Sequence, residues 1–174
     1  MKCYKKIAPF MLACMLLVGC GQNVYKKGVE NLENKNYAAA QENFQKAIED
    51  KKNIEDSYRG LGIAYYEQEN YEKALEAFEK AIKAGTEETG TLYNMMAVCK
   101  MQTESYENAI SYYKKALTYS DCSDDMKQEI NFNIIVCYEK LEDWDNAKAK
   151  LEEYVTAYPD DKKAAKEADF LKTR

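Results

Sequence analysis

Any chemistry in this chain of 174 residues must come from six cysteines and a surplus of carboxylates, because histidine is absent. Without an imidazole the chain lacks the side chain that titrates near neutral pH and ligates metals most often. Glu87-Glu88 and Asp124-Asp125 are adjacent acidic pairs. Each falls at the expected start of a helix, where the positive end of the helix dipole favours a carboxylate. A metal site needs convergent ligands, which this spacing does not supply. No glycine-rich phosphate loop is present. The residues therefore predict a chain that is not an enzyme and holds no cofactor and no metal.

The cysteines divide by position. Cys3 and Cys14 lie in an N-terminal stretch in which Lys2, Lys5 and Lys6 precede the apolar run Ile7–Val18. A basic start, a short apolar run and a small-residue exit make a secretory signal, and the run is shorter than the roughly 20 residues that span a bilayer. The exit, Leu17-Val18-Gly19-Cys20, resembles the lipobox of bacterial lipoproteins. That resemblance implies cleavage between Gly19 and Cys20, a diacylglyceryl thioether on Cys20, and acyl chains such as palmitate. It places the mature chain on a cell membrane or outer membrane, facing away from the cytoplasm. The competing reading is an uncleaved N-terminal anchor. Residues 1–19 are then the signal and 20–24 a lipidated tether short enough to hold the first helices close to the membrane. Cys99 and Cys137 sit at similar points of neighbouring units and read as buried thiols. A disulfide between them would need α-carbons within about 7 Å. Cys122, in a polar connector, reads as the more exposed thiol.

The elements that position these residues follow from periodicity. Tyr58–Ile82 draws two helices, about Ser57–Gln68 and Tyr71–Ala84, broken at Gln68-Glu69-Asn70. Ala74, Phe78, Ala81 and Ile82 form one stripe of the second helix, and Leu61, Gly62 and Tyr65 one stripe of the first. Gly62 is expected to let the helices approach closely at Ala74. The tetrad Tyr71, Ala74, Phe78, Ala81 has copies at Tyr37, Ala40, Phe44, Ala47, at Tyr106, Ala109, Tyr113, Ala116 and at Trp144, Ala147, Leu151, Tyr154. With Tyr58-x2-Leu61-Gly62-x2-Tyr65 followed by Ala74-x3-Phe78, the pattern resembles the tetratricopeptide repeat (TPR). The resemblance implies an all-α chain, an α-solenoid of about four helical hairpins over 25–161 (repeats 21–54, 55–88, 89–123 and 128–161). A C-terminal capping helix over 162–174 would close the stack, with Ala164, Ala168 and Leu171 on its inner face.

The copies are not uniform. Ala84-Gly85 ends one helix and Thr86-Glu87-Glu88 can cap the next. In the third unit Met96 is read at the glycine position, where its bulk would spread or tilt the hairpin, and the extra residue is placed in the Met101–Ser105 loop. The connector between Tyr119 and Gln128 is the expected bend, with Ser123 as a helix cap. Pro159 matches the closing proline of the family pattern.

Formal net charge is −5, and removing 1–19, with three lysines and no acid, leaves −8. That balance argues against nucleic acid as a partner. TPR first helices line a concave groove that binds peptides. The positions here that match it are Tyr25, Val29 and Leu32; Arg59, Ile63 and Tyr66; Tyr93, Asn94 and Ala97; and Phe132, Asn133 and Val136. The other reading of the aromatics is packing between first helices. The lysine and asparagine clamp of chaperone-tail binders is missing, since Tyr25 and Val29 stand where its first members belong. The leading expectation is a lipid-anchored scaffold that holds a protein or peptide partner in the groove. The alternative is a self-assembling, homo-oligomeric envelope component using apolar surface at Met95 and Met96.

Overall fold

The computed structural model describes residues 20–173, and the described residues are helices and turns. The helices are α1 (Cys20–Glu33), α2 (Tyr37–Glu49), α3 (Ile54–Tyr66), α4 (Tyr71–Ala84), α5 (Gly90–Gln102), α6 (Tyr106–Ala116), α7 (Asp124–Lys140), α8 (Trp144–Ala157) and α9 (Lys162–Leu171). Each packs chiefly on its neighbours in sequence, and α1 also meets α3. This is a solenoid of helical hairpins. Its interior is a row of buried clusters, one around Phe44, one around Phe78 and Tyr113, and one around Leu151.

The turns within the hairpins fix their register. Lys35, Glu69, Glu104 and Glu142 all have positive φ, between 56° and 59°. After each, a backbone N–H reaches back into the first helix: Asn36 to Asn31 O, Asn70 to Tyr65 O, Ser105 to Lys100 O and Asp143 to Tyr138 O, at 2.7–2.9 Å. This is the Schellman closure of a helix C-terminus, with the left-handed position held by lysine or glutamate instead of glycine. Counting back from these bonds, Val24, Tyr58, Tyr93 and Asn131 are equivalent, as are Gly28, Gly62, Ala97 and Ile135.

That register corrects the sequence reading of the third hairpin. The turn from Gln102 to Tyr106 is no longer than the others, and the extra residue lies in the turn between Ala84 and Gly90. Ala97, not Met96, therefore takes the place of Gly62. Met96 stands where Leu61 stands and is 1% exposed, so it does not wedge the hairpin at the glycine position.

A size-matched contact runs through the stack at this place. A Cβ on Gly28 would lie 2.7 Å from the Phe44 ring, and one on Gly62 would lie 2.5 Å from the Phe78 ring. The close approach that Gly62 permits is thus to Phe78, not Ala74 as the sequence pattern suggested. In the third hairpin the equivalent pair is Ala97 with Tyr113, and in the fourth Ile135 with Leu151. All four are buried. In the fourth pair the first-helix residue is large and the second-helix ring is replaced by leucine, whereas Ala97 and Tyr113 are each larger than Gly62 and Phe78. Phe44 also abuts Gly60 of the next hairpin, so one ring holds both a hairpin and the joint to its successor.

The third hairpin carries a polar clasp. Glu88 accepts hydrogen bonds from Tyr93 Oη (2.8 Å), Tyr119 Oη (2.9 Å) and Lys115 Nζ (3.0 Å). Tyr93 stacks between Tyr112 and Tyr119 at centroid distances of 6.0 and 5.6 Å. Hydrogen bonds from Lys115, Tyr93 and Tyr119 hold the Glu88 carboxyl down to about 2. Asp121 accepts from the backbone N–H of Gly90 (2.7 Å) and of Thr91 (3.1 Å), tying the connector to the start of α5. Thr89 caps α5 and Ser123 caps α7, each accepting a backbone N–H three residues on. Gly85 closes α4 at φ 101°.

Tyr154, which replaces a repeat alanine, is 2% exposed and donates to Asp161 at 2.5 Å. Beyond it, α9 buries Ala164 and Leu171 against the α7–α8 hairpin.

Two outcomes are expected. Gly62→Ile should cost about 3 kcal/mol by overpacking, and adding Phe78→Leu should recover most of it, as thermal or urea melts would show. Glu88 is ionised in the fold well below its ordinary value of 4.5, so its contribution is complete above that value and disappears as pH falls towards about 2. The melting-temperature gap between the parent and Glu88→Gln should therefore be widest at neutral pH and close on acidification.

Candidate functional site

The register projects one stripe from each first helix: Tyr25, Val29 and Leu32 on α1; Arg59, Ile63 and Tyr66 on α3; Asn94, Val98 and Met101 on α5; and Phe132, Val136 and Glu139 on α7. Every one of these is partly exposed, neither sealed in the core nor fully in solvent. Of the positions expected from sequence, Tyr93 is 4% exposed and Ala97 fully buried. They face their own hairpin, because the corrected register puts them at the places of Tyr58 and Gly62. Asn133 lies one place off the stripe and hydrogen-bonds the Tyr113 hydroxyl, so it is not the counterpart of Asn94. Val98 and Met101 escape the sequence reading through the same shift. Counting back from Tyr106, where the tetrad is unambiguous, would have found them.

The stripe is mostly apolar. Tyr25 leans on Phe44 and Tyr66 on Tyr71, each at a centroid distance of 6.0 Å. Phe132 meets Tyr154 edge-on at 5.6 Å. Burial pushes the Tyr66 phenol up to about 12, with Cys99, Tyr71 and the Glu129 carboxylate adding to the effect. Tyr66 lies on α3 and Glu129 on α7, two hairpins further along the stack. Arg59, which could have met a partner's carboxylate, is paired with Asp56 at 2.7 Å. The Asn94 Oδ1 is buried and has no hydrogen-bond partner. Burial raises the Glu139 carboxyl to about 7, and its protonated form is favoured further by donating a hydrogen bond to the Glu167 carboxylate of α9.

At the α7 end the stripe opens into a cleft of about 540 Å³ lined by Asp125, Gln128, Glu129, Phe132, Asn133, Tyr154 and Asp161. A second hollow, of about 410 Å³, lies elsewhere, between α2, α3 and α4, with Tyr58, Tyr65, Lys73 and Lys80 among its walls.

The signal, Gly19 and the rest of the lipobox before Cys20 lie outside the described residues. The backbone of Cys20 opens α1. Cys99, Cys122 and Cys137 are free thiols, all buried. Cys122 is 2% exposed, against the expectation of an exposed thiol, because the connector folds over the α5–α6 hairpin through Asp121. Burial raises all three thiols, Cys99 and Cys137 to about 12. Among the described residues no three His, Cys, Asp or Glu side chains are placed to hold a metal ion, and no helix is long and apolar enough to cross a membrane.

This fold and surface have known counterparts. A tetratricopeptide repeat sequence profile matches residues 25–89 and 59–127, and a second matches 131–161. The chain belongs to the tetratricopeptide repeat family, whose folds serve as protein–protein interaction modules and are generally non-enzymatic. Among solved structures it is similar to the crystal structure of MamA, at 14% identity over 87% of this chain and 80% of that one, TM-score 0.72. It is also similar to YrrB, described as a TPR protein with an unusual peptide-binding site, at 20% identity over 91% and 83%, TM-score 0.72. The APC/C hetero-tetramer Cut9-Hcn1 matches at 15% identity over 88% of this chain and 30% of that one, TM-score 0.64. At these identities the likeness carries the fold alone. No curated protein matches the chain.

The buried thiols should be inert. In the folded chain Cys99 and Cys137 are expected to alkylate with iodoacetamide on the order of 100-fold more slowly than after denaturation, read residue by residue by peptide mass mapping.

Proposed function

We propose that this chain is a lipid-anchored envelope protein that holds a protein or peptide partner along the face of its first helices. The observation that carries the reading is the stripe itself. Val29, Leu32, Ile63, Tyr66, Val98, Met101, Phe132 and Val136 are apolar and partly exposed on the first helices of successive hairpins. A monomer gains nothing by leaving such a strip in water, whereas a peptide laid along it removes that area from solvent. Aromatic anchors such as Tyr66 and Phe132 suit this role because they bring large contact area with few rotatable bonds. YrrB, built on a similar scaffold, is described as having a peptide-binding site, which supports the same use here.

Lipidation at Cys20 supplies the location. The basic start, the apolar run and Leu17-Val18-Gly19-Cys20 support it, and the short reach from Cys20 to the buried Val24 would hold the solenoid near the membrane surface. Self-assembly is the weaker reading. Met96, one of the two methionines that suggested it, is 1% exposed and offers no surface to a second copy.

Two measurements test this. Tyr66→Ala with Phe132→Ala should leave the helical content intact and cut recovery of a photo-crosslinked partner at least about ten-fold. Undiminished recovery would remove the groove. Expressed in a bacterium, the parent should fractionate with membranes carrying a lipid mass on Cys20, and Cys20→Ser should lose both. A parent lacking that mass would remove the anchor.

A further inference from the structure

Resting on the reading of the first-helix face as the binding surface, we propose that the partner is a peptide with apolar side chains along the stripe and an arginine or lysine seated in the cleft at the α7 end. The cleft brings Asp125, Glu129 and Asp161 together around the rings of Phe132 and Tyr154, with the amides of Gln128 and Asn133 beside them. No lysine or arginine lines it. Lys127, on the same helix, is paired with Asp124 at 2.8 Å. Asp125 and Glu129 are exposed and make no ion pair among the described residues. Asp161 is held in place by Tyr154 Oη and Gln128 Nε2, so its charge is fixed at the rim. The cleft thus presents negative potential above an aromatic floor, which attracts and orients a cationic side chain.

The chemistry of the ligand narrows further. The three carboxylates are too dispersed for a metal ion, which needs oxygens converging at about 2.0–2.6 Å. A volume of about 540 Å³ accommodates a long side chain, and a planar guanidinium can lie on a ring while bonding a carboxylate. The excess of negative charge, −8 once 1–19 are set aside, favours encounter with a basic segment over an acidic one.

The test selects from a random dodecapeptide library displayed on phage, using the detergent-solubilised full chain. Selected peptides are then synthesised and titrated by fluorescence anisotropy against the parent, Asp125→Asn plus Glu129→Gln, and Tyr66→Ala. Both carboxylates are exposed, so their replacement should lower the melt only slightly, Asp125 through its place in the first turn of α7, and the fold is checked by circular dichroism. The expected result is enrichment of arginine or lysine beside apolar residues. With it come at least a ten-fold loss of affinity in the double carboxylate variant and a shallower salt dependence. Replacing the basic residue of the peptide by glutamine should abolish the difference between parent and double variant. Peptides without basic enrichment, whose affinity falls in Tyr66→Ala but not in the double variant, would overturn the cationic anchor and leave the groove standing. Binding indifferent to all the variants, or no selectable peptide, would overturn both.

Discussion

The stack depends on one steric fit, a bulky side chain of each second helix pressed into a gap left by a small residue of the first. Phe44 against Gly28 and Phe78 against Gly62 leave no room for even a methyl group. Packing of this kind sets how closely two helices approach, and because interiors are close-packed it does so rigidly. Where the gap is filled, as by Ile135, the opposing residue is Leu151 and no ring is pressed into it. Phe44 also reaches Gly60 of the following hairpin, and the fit that closes one unit sets the pitch at which the next is added. A solenoid built this way has no single core that could fold around a different order of helices.

The stripe proposed to meet a partner is a by-product of that fit. Once the buried stripe of each first helix is committed to its own hairpin, the stripe a few residues round must face the inside of the curve. The residues there need only avoid being charged and numerous to make a continuous apolar strip. The turns add precision: the left-handed residue and its backbone bond end each first helix at the same point, so the stripe of one hairpin is aligned with that of the next. Lysine and glutamate hold that conformation here at a cost of roughly 1 kcal/mol per residue, which the packed helices on either side sustain.

The third hairpin shows how a chain departs from its own repeat without losing it. It replaces a glycine by Ala97, adds a residue before α5, and sits next to the longest connector. It is also where the polar clasp of Glu88, Tyr93, Lys115 and Tyr119 lies, and where Asp121 is recruited to the start of α5. Charge-assisted hydrogen bonds here fix a joint that apolar contacts alone would leave less defined. The same connector that makes the joint also covers Cys122.

Periodicity, with the resemblance to the tetratricopeptide repeat that it carries, made the architecture legible. Large and small residues return at fixed intervals of the second helices, and only stacked hairpins can bury such a pattern, so the all-helical solenoid, its hairpins and the identity of its buried rings were legible from the residues. The lipidation proposed at Cys20 rests on a different kind of reading, the resemblance of Leu17-Val18-Gly19-Cys20 to a lipobox. The half-buried stripe of the first helices was legible only in part. Tyr25, Ile63 and Tyr66 follow from a close match to the repeat, but in α5 two registers one residue apart satisfy the apolar pattern about equally, since methionines, cysteine and alanine are all buriable. Only the turn geometry, a backbone bond from Ser105 to Lys100, decides between them and exchanges Tyr93 and Ala97 for Val98 and Met101. Likewise the burial of Cys122 and the gathering of Asp125, Glu129 and Asp161 beside Phe132 come from contacts between segments distant in the chain. A linear pattern carries no record of such contacts, because they depend on where the turns aim each helix.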